Sequence, residues 1–458
     1  MIDWLIAHGL VVRSDLPIPE WLFAWAAAIV LLVSFAALAV LWPKPRLQEE
    51  RWRPLPGGVG KVLASRPLEI VTGTIGVGLL GVVIYAGLEG SQTATNNFAP
   101  TFVYVIFWVG LVAASVLLGD VYRAFNPWRA LGRAVAWVAQ KAAGGEIPAP
   151  LKYPERLGRW PAALGILLFT MLELVHSDPG KPENVAIGAL VYSVAMFVGM
   201  ALYGVEAWTS RVDAFSVYFN LFSRLSVFAR KGREVGIRRW LTGLPKLDVV
   251  PGTVALLAVI IGSTSFDGAA EASLWSNTAP HLADFFHSLG ASPKDALELA
   301  FGLGELIFIG LIYGLFRLGV AGARTVGGGF TSKQLAYAFV HSLAPIAFAY
   351  VAAHYLTLLL FQGQAIVFLA SDPLGDGSNL FGTANHTIDY SVIGSNATWY
   401  FQVGFVVLGH VTGLSLAHDK ALAMYERPRQ AVRSQYWMLG VMVCFTSLAL
   451  WLLSQANQ

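Results

Sequence analysis

Ionisable side chains are scarce in the long apolar runs of this 458-residue chain, and those present could do chemistry. Glu298 and Glu305 stand seven residues apart, on one helical face, with Gly302 between them. His341 and His354 share the next run with Pro345 between them; His410 lies in the run after, and Glu173 near the end of an earlier one. A charge inside a crossing helix costs roughly 2.5–3.5 kcal/mol, so its retention points to a role. Imidazole nitrogens with carboxylate oxygens suit Zn²⁺, Fe²⁺, Mn²⁺ or Cu²⁺. The expected metal set is therefore His354, His410, Glu298 and Glu305. A metal-bound water would be the nucleophile, with Glu305 as ligand or general base and Tyr350, four residues before His354, donating a hydrogen bond. Three other readings use the same residues: a proton or cation path along Glu298 and Glu305, haem held axially by His354 and His410, and hydrogen-bonded clasps between helices. No HExxH or HxH spacing occurs, so a site drawing on His354 and His410 must be assembled across helices.

The elements that position these residues are membrane-spanning helices, each needing roughly 20 apolar residues. Ten runs qualify: Trp21–Trp42, Leu68–Gly87, Thr101–Leu118, Trp160–Val175, Val185–Val205, Val249–Ser265, Ala296–Leu318, Leu335–Phe361, Thr398–Ala417 and Trp437–Leu453. The fold class expected is all-α, a polytopic helical bundle forming one integral membrane domain. Of 31 Lys and Arg residues, 28 fall in alternate connections (43–67, 119–159, 206–248, 317–334 and 418–436), and only Arg13, Lys181 and Lys294 fall in the others. Cytoplasmic loops hold back positive charge, which puts both termini outside and those five connections inside. Thirteen acids, Asp267 and Glu271 among them, are assigned to the outer side, a field that draws cations. With that orientation, Glu305, His354 and His410 lie roughly 14, 10 and 18 Å below the outer ends of their helices, at ~1.5 Å per residue.

The composition agrees. Apolar residues make up 56% and charged residues 13%, with a mean hydropathy of +0.59, against roughly 25% charged in a soluble domain. One cysteine, Cys444, excludes an intramolecular disulfide or CxxC pair. The first 21 residues lack a basic n-region and do not read as a signal peptide. His8, in AHGL, would chelate copper only as an amino-terminal residue and reads as a loop histidine. GxSxG, GxxxxGK[ST] and GxGxxG after a strand are absent, and nucleic-acid binding is not indicated. The partners expected are the lipid bilayer, a small apolar substrate or cation, and other membrane subunits.

Two basic connections carry amphipathic segments. In 213–230, Phe215, Tyr218, Phe219, Phe222 and Leu225 recur at helical spacing, which predicts an interfacial helix in the headgroup layer. Residues 120–143 read similarly, broken by Asn126-Pro127. Residues 270–290 suit a third interfacial piece. Residues 371–397 form a long Gly/Asp/Asn-rich extracytoplasmic loop, the kind that acts as a lid or binding loop. Close helix packing is expected at the GxxxG pairs Gly310/Gly314 and Gly409/Gly413.

Several stretches are distinctive: SDLPIPEWLFAWAA at 14–27, NFAPTFVYVIFWVG at 97–110, GDVYRAFNPWRALGR at 119–133, STSFDG at 263–268, AHYLTLLLFQGQ at 353–364, SDPLGDGSNLFGTA at 371–384 and GHVTGLSLAHDKALA at 409–423. With them the chain resembles, over nearly its whole length, bacterial polytopic membrane proteins labelled fenitrothion hydrolase. That resemblance implies a bacterial inner-membrane protein hydrolysing an organophosphate triester. It assigns no role to any residue.

Overall fold

The computed structural model describes residues 20–144 and 149–455; His8, Asp3, Arg13 and Asp15 lie outside them. The principal helices are Glu20–Leu41 (α1), Arg66–Glu89 (α2), Phe98–Leu118 (α3), Pro127–Ala142 (α4), Trp160–Leu174 (α5), Pro182–Tyr203 (α6) and Ala214–Ser223 (α7). Then come Thr253–Ala270 (α8), Pro293–Arg324 (α9), Ser332–His354 (α10), Leu356–Ser371 (α11), Ser395–Met424 (α12) and Tyr436–Gln455 (α13). Seven of them, α2, α3, α6, α8, α9, α10 and α12, are long and apolar enough to cross a membrane; α5, α11 and the Trp25–Leu41 part of α1 are shorter apolar helices. The chain is a membrane protein with an all-α core.

Polar residues at the helix starts fix where the apolar runs begin. Asn126 Oδ1 accepts from the Arg129 amide ahead of α4, and Ser292 Oγ from the Asp295 amide ahead of α9. Thr331 and Gln334 close a reciprocal capping box on α10. Among the described residues there is one small sheet: Trp52–Pro54 (β1), Phe228–Lys231 (β2) and Glu234–Arg238 (β3), antiparallel in the order β1-β3-β2, with Trp52 opposite Arg238.

That sheet joins two of the basic connections, and other contacts join the rest to them. Arg129 pairs with Glu206 at 2.8 Å, and Asn126 donates to Asp213 at 2.7 Å. Asp419, on α12 and fully buried, accepts from Trp42 Nε1, Gln48 Nε2 and the amides of Arg46 and Leu47. Gln430 donates to the Val326 carbonyl. At the other end, the amides of Ser91 and Phe98 donate to Leu374 and Pro373, Glu183 to Gln92, and Ser177 to Glu298. All five basic connections thus gather at one end of the bundle, and the acid-rich connections gather at the other.

α8 is the axis of the fold. Every residue from Leu256 to Ala269 is buried, and α5, α9, α10 and α13 pack around it. A helix enclosed by protein on all sides can carry polar groups that lipid would not tolerate.

Three expectations change. The run Leu335–Phe361 is not one helix: α10 ends at His354, Tyr355 leaves helical geometry (φ −94°, ψ 14°), and α11 continues to Ser371 with a 3₁₀ turn at Gln362–Ala365. Neighbouring residues on a regular helix point roughly 100° apart, yet His354 and Tyr355 both bond one carboxylate, Asp267. The break lets them. Secondly, the helix in 213–230 exists as α7, but its apolar stripe is packed against protein. Eight of its residues are buried, and Phe215, Tyr218 and Phe222 enter the aromatic core. Its polar residues are satisfied by protein: Ser216 by Asp213, Asn220 by Asp120. α4 has the exposed apolar face expected of an interfacial helix, with Val135, Trp137 and Val138 exposed and the Lys141 ammonium 4.5 Å from the Trp137 ring, and in 270–290 a helix over Ser273–Ser288 leaves Leu274 and Phe285 exposed. Thirdly, only one GxxxG pair packs. A Cβ on Gly409 would meet Ala349 Cβ at 2.3 Å, and one on Gly413 the Ser342 carbonyl at 2.8 Å, whereas Gly310 and Gly314 face open space.

Candidate functional site

The polar residues of α8 collect their partners from three neighbouring helices. Ser263 and Asp267, four residues apart, lie on one face of α8. Asp267 Oδ2 lies 2.8 Å from His354 Nε2 and accepts from the Tyr355 hydroxyl at 2.7 Å. All three side chains are buried. One turn deeper, Glu305 of α9 accepts through Oε1 from Thr170 of α5 at 2.6 Å and from Ser263 at 3.0 Å. Glu305 is 0% exposed, and its second oxygen, Oε2, has no partner.

Two further acids complete the group. Glu173 of α5 is buried, its Oε2 is also unpartnered, and the charges acting on it come from Asp267 and Glu305. Glu271, just past α8, interacts with His354 and Asp267 and leaves Oε2 buried without a partner. The wall is phenolic and aromatic. The Tyr218 hydroxyl is buried and unpartnered, its ring stacked on Trp108 at 4.4 Å. Trp108 and Tyr104 belong to a π-helical stretch of α3, Thr101–Gly110. Wide i→i+5 turns are rare and recur at functional sites.

The sequence candidates separate across this arrangement. Glu305 and His354 lie in the α8-centred group, though each with its own partners. Glu298 sits at the outer turn, accepting from the Ser177 amide at 2.9 Å. His410 is fully buried, bonds through Nδ1 to the Val406 carbonyl of its own helix, and leaves Nε2 unpartnered. Tyr350 lies beside it, ring centroids 6.2 Å apart, and donates to the Phe445 carbonyl. His341 is buried with Nε2 unpartnered, and His176 accepts from the Asp178 amide in the outer turn. The expected metal set His354, His410, Glu298 and Glu305 therefore does not converge. Among the described residues, no three His, Cys, Asp or Glu side chains are grouped to hold a metal ion. The reason is α8: it stands between α9 and α10 and supplies Asp267 as the partner that a metal would have been.

Asp267 is the residue that the sequence reading misplaced. Ending the sixth run at Ser265 left it two residues outside, among the outer acids. Its four-residue spacing from Ser263, within STSFDG, was the available signal.

What can this arrangement do? A buried carboxylate oxygen without a donor is costly unless it takes up a proton or a cation. Three such oxygens, on Glu173, Glu271 and Glu305, surround an Asp–His–Tyr hydrogen-bonded group. No family model matches this chain, and no curated protein or solved structure matches it.

Proposed function

We propose that this chain is a multi-pass protein of a bacterial inner membrane, of about ten spans with both termini outside, that moves protons through its α8-centred carboxylate group. The observation that carries the reading is Glu305: wholly buried midway along a spanning helix, bonded by two hydroxyls through one oxygen, with the other oxygen free. A glutamate so placed binds a proton when the others are charged and gives it up when His354 or Glu173 can take it. The break at Tyr355 and the π-helical wall of α3 suit such a role, since interrupted helices line intramembrane ion paths. The test is proton flux into proteoliposomes under an imposed potential. Wild type and Glu298→Gln conduct; Glu305→Gln loses flux at least tenfold. A silent wild type, or a fully active Glu305→Gln, overturns the reading.

The Asp267–His354 pair favours a second reading, hydrolysis. An imidazole oriented by a buried carboxylate is the arrangement of a general base. It could activate water against an apolar phosphotriester that enters from the bilayer, the activity the resemblance implies. No step through a metal follows from these residues. Release of nitrophenol from a phosphotriester, abolished in His354→Ala, supports this reading; equal release by both proteins removes it.

A further inference from the structure

At the basic end of the bundle lies a cavity of about 280 Å³ that neither reading uses. Five arginines line it: Arg123, Arg129, Arg159, Arg211 and Arg224. Two of them come from GDVYRAFNPWRALGR, a distinctive stretch the buried acid group leaves unexplained. Three acids oppose them. Glu206 clamps Arg129 at 2.8 Å and Arg123 at 3.3 Å, Asp248 pairs with Arg211 at 2.8 Å, and Asp120 lies on the wall. Five guanidinium groups against three carboxylates leave a surplus of positive charge.

Two of the five, Arg159 and Arg224, have no carboxylate hydrogen-bonded to them. Arg159, 7% exposed, donates through Nη1 to the Asp248 carbonyl at 2.7 Å and to Thr253 Oγ1, and its Nε is buried without a partner. Arg224 donates only to the carbonyls of Gly243 and Lys246, and its Nε is likewise buried and unpartnered. Burial works against both: Arg159 is lowered to about 10, with burial the first cause and the charge of Arg224 the next. Arg224 is lowered too, by burial and then by Arg238. Like charges gathered in a partly buried cavity are unfavourable unless an anion joins them. The first turn of α8, through Thr253, Leu256 and Leu257, also lines the cavity, and a helix start adds its own partial positive charge. The rim reaches solvent, since the Arg123 and Asp248 side chains are 40% and 59% exposed.

We propose that this cavity binds a phosphate-bearing anion, held chiefly by Arg159 and Arg224, whose planar forks match phosphate oxygens. The volume is several times the ~30 Å³ share of one water, room for a phosphate with an organic substituent. Either a soluble phosphate ester or a phospholipid headgroup presents this chemistry.

The experiment uses the full-length protein in neutral detergent, with chloride at matched ionic strength as control. Pyrophosphate is one probe, read by the rise in melting temperature. Phosphatidylglycerol is the other, read by mass spectrometry of the intact complex. Wild type retains one probe or the other, and which one names the source. Arg224→Gln, and independently Arg159→Gln, weakens that binding at least tenfold, while Arg233→Gln, on the hairpin turn outside the cavity, does not. If wild type responds to neither probe beyond chloride, the proposal is wrong, whatever the variants do. Full-strength binding by a folded Arg224→Gln overturns it as well.

Discussion

Asp267 on α8 and His354 at the end of α10 are joined by a 2.8 Å hydrogen bond between buried side chains. The same carboxylate oxygen holds the Tyr355 hydroxyl, and it is there that the helix breaks. Asp267 thus organises both the site and the path of the chain around it.

Replacing Asp267 should therefore be felt in stability before function. Asp267→Ala leaves two buried donors without an acceptor, each costing about 1–3 kcal/mol. The expected outcome is a melting temperature in detergent several degrees below wild type, with Asp267→Asn falling between. An unchanged melting curve for Asp267→Ala would mean that the Asp–His–Tyr group does not hold α8 and α10 together.

A matched pair of glycines tests the packing. In Gly409→Ala the new methyl would meet Ala349 Cβ at 2.3 Å and the Pro345 carbonyl at 2.8 Å, so α12 must move off α10. Overpacking of that kind costs about 1–3 kcal/mol. Gly310→Ala meets nothing within 4 Å and should melt with wild type. Equal melting temperatures for the two variants would contradict the α10–α12 contact.

The basic end offers a pH dependence. Burial works against the Glu206 carboxylate, but Arg129 and then Arg123 outweigh it and hold the group below the usual glutamate range. A carboxylate with a depressed folded value contributes stability above its unfolded value, about 4.3, and loses it as pH falls through the folded one. Wild type should melt above Glu206→Gln at neutral pH, and the difference should shrink and vanish as acidification protonates the folded carboxylate. A difference that persists in acid would assign Glu206 a packing role instead.

Much of this architecture was legible in the chain. Seven of the apolar runs reappear as helices long and apolar enough to cross a membrane, and the basic connections gather at one end, because both reflect costs paid residue by residue against lipid. Glu305 and His354 were found because a charge inside an apolar run stands out. Their partners were not, for hydroxyls such as Thr170 and Ser263 blend into a membrane helix, and Asp267 lay two residues past an assumed boundary. The burial of α7 was hidden too. Its aromatic stripe reads the same whether it faces lipid or other helices, and only the tertiary contacts of Ser216 and Asn220 distinguish the two.

Everything proposed for the acid group and for the arginine cavity depends on the two ends of the bundle lying in different compartments. The direct measurement is thiol labelling in intact and opened cells, in a background with Cys444→Ser and one new cysteine at a time. Lys231→Cys, in the sheet hairpin, should react only after the membrane is opened, and Asp376→Cys, in the loop after α11, should react in intact cells. If both cysteines label in the same preparation, the two sites do not face opposite sides of a membrane, and the account fails.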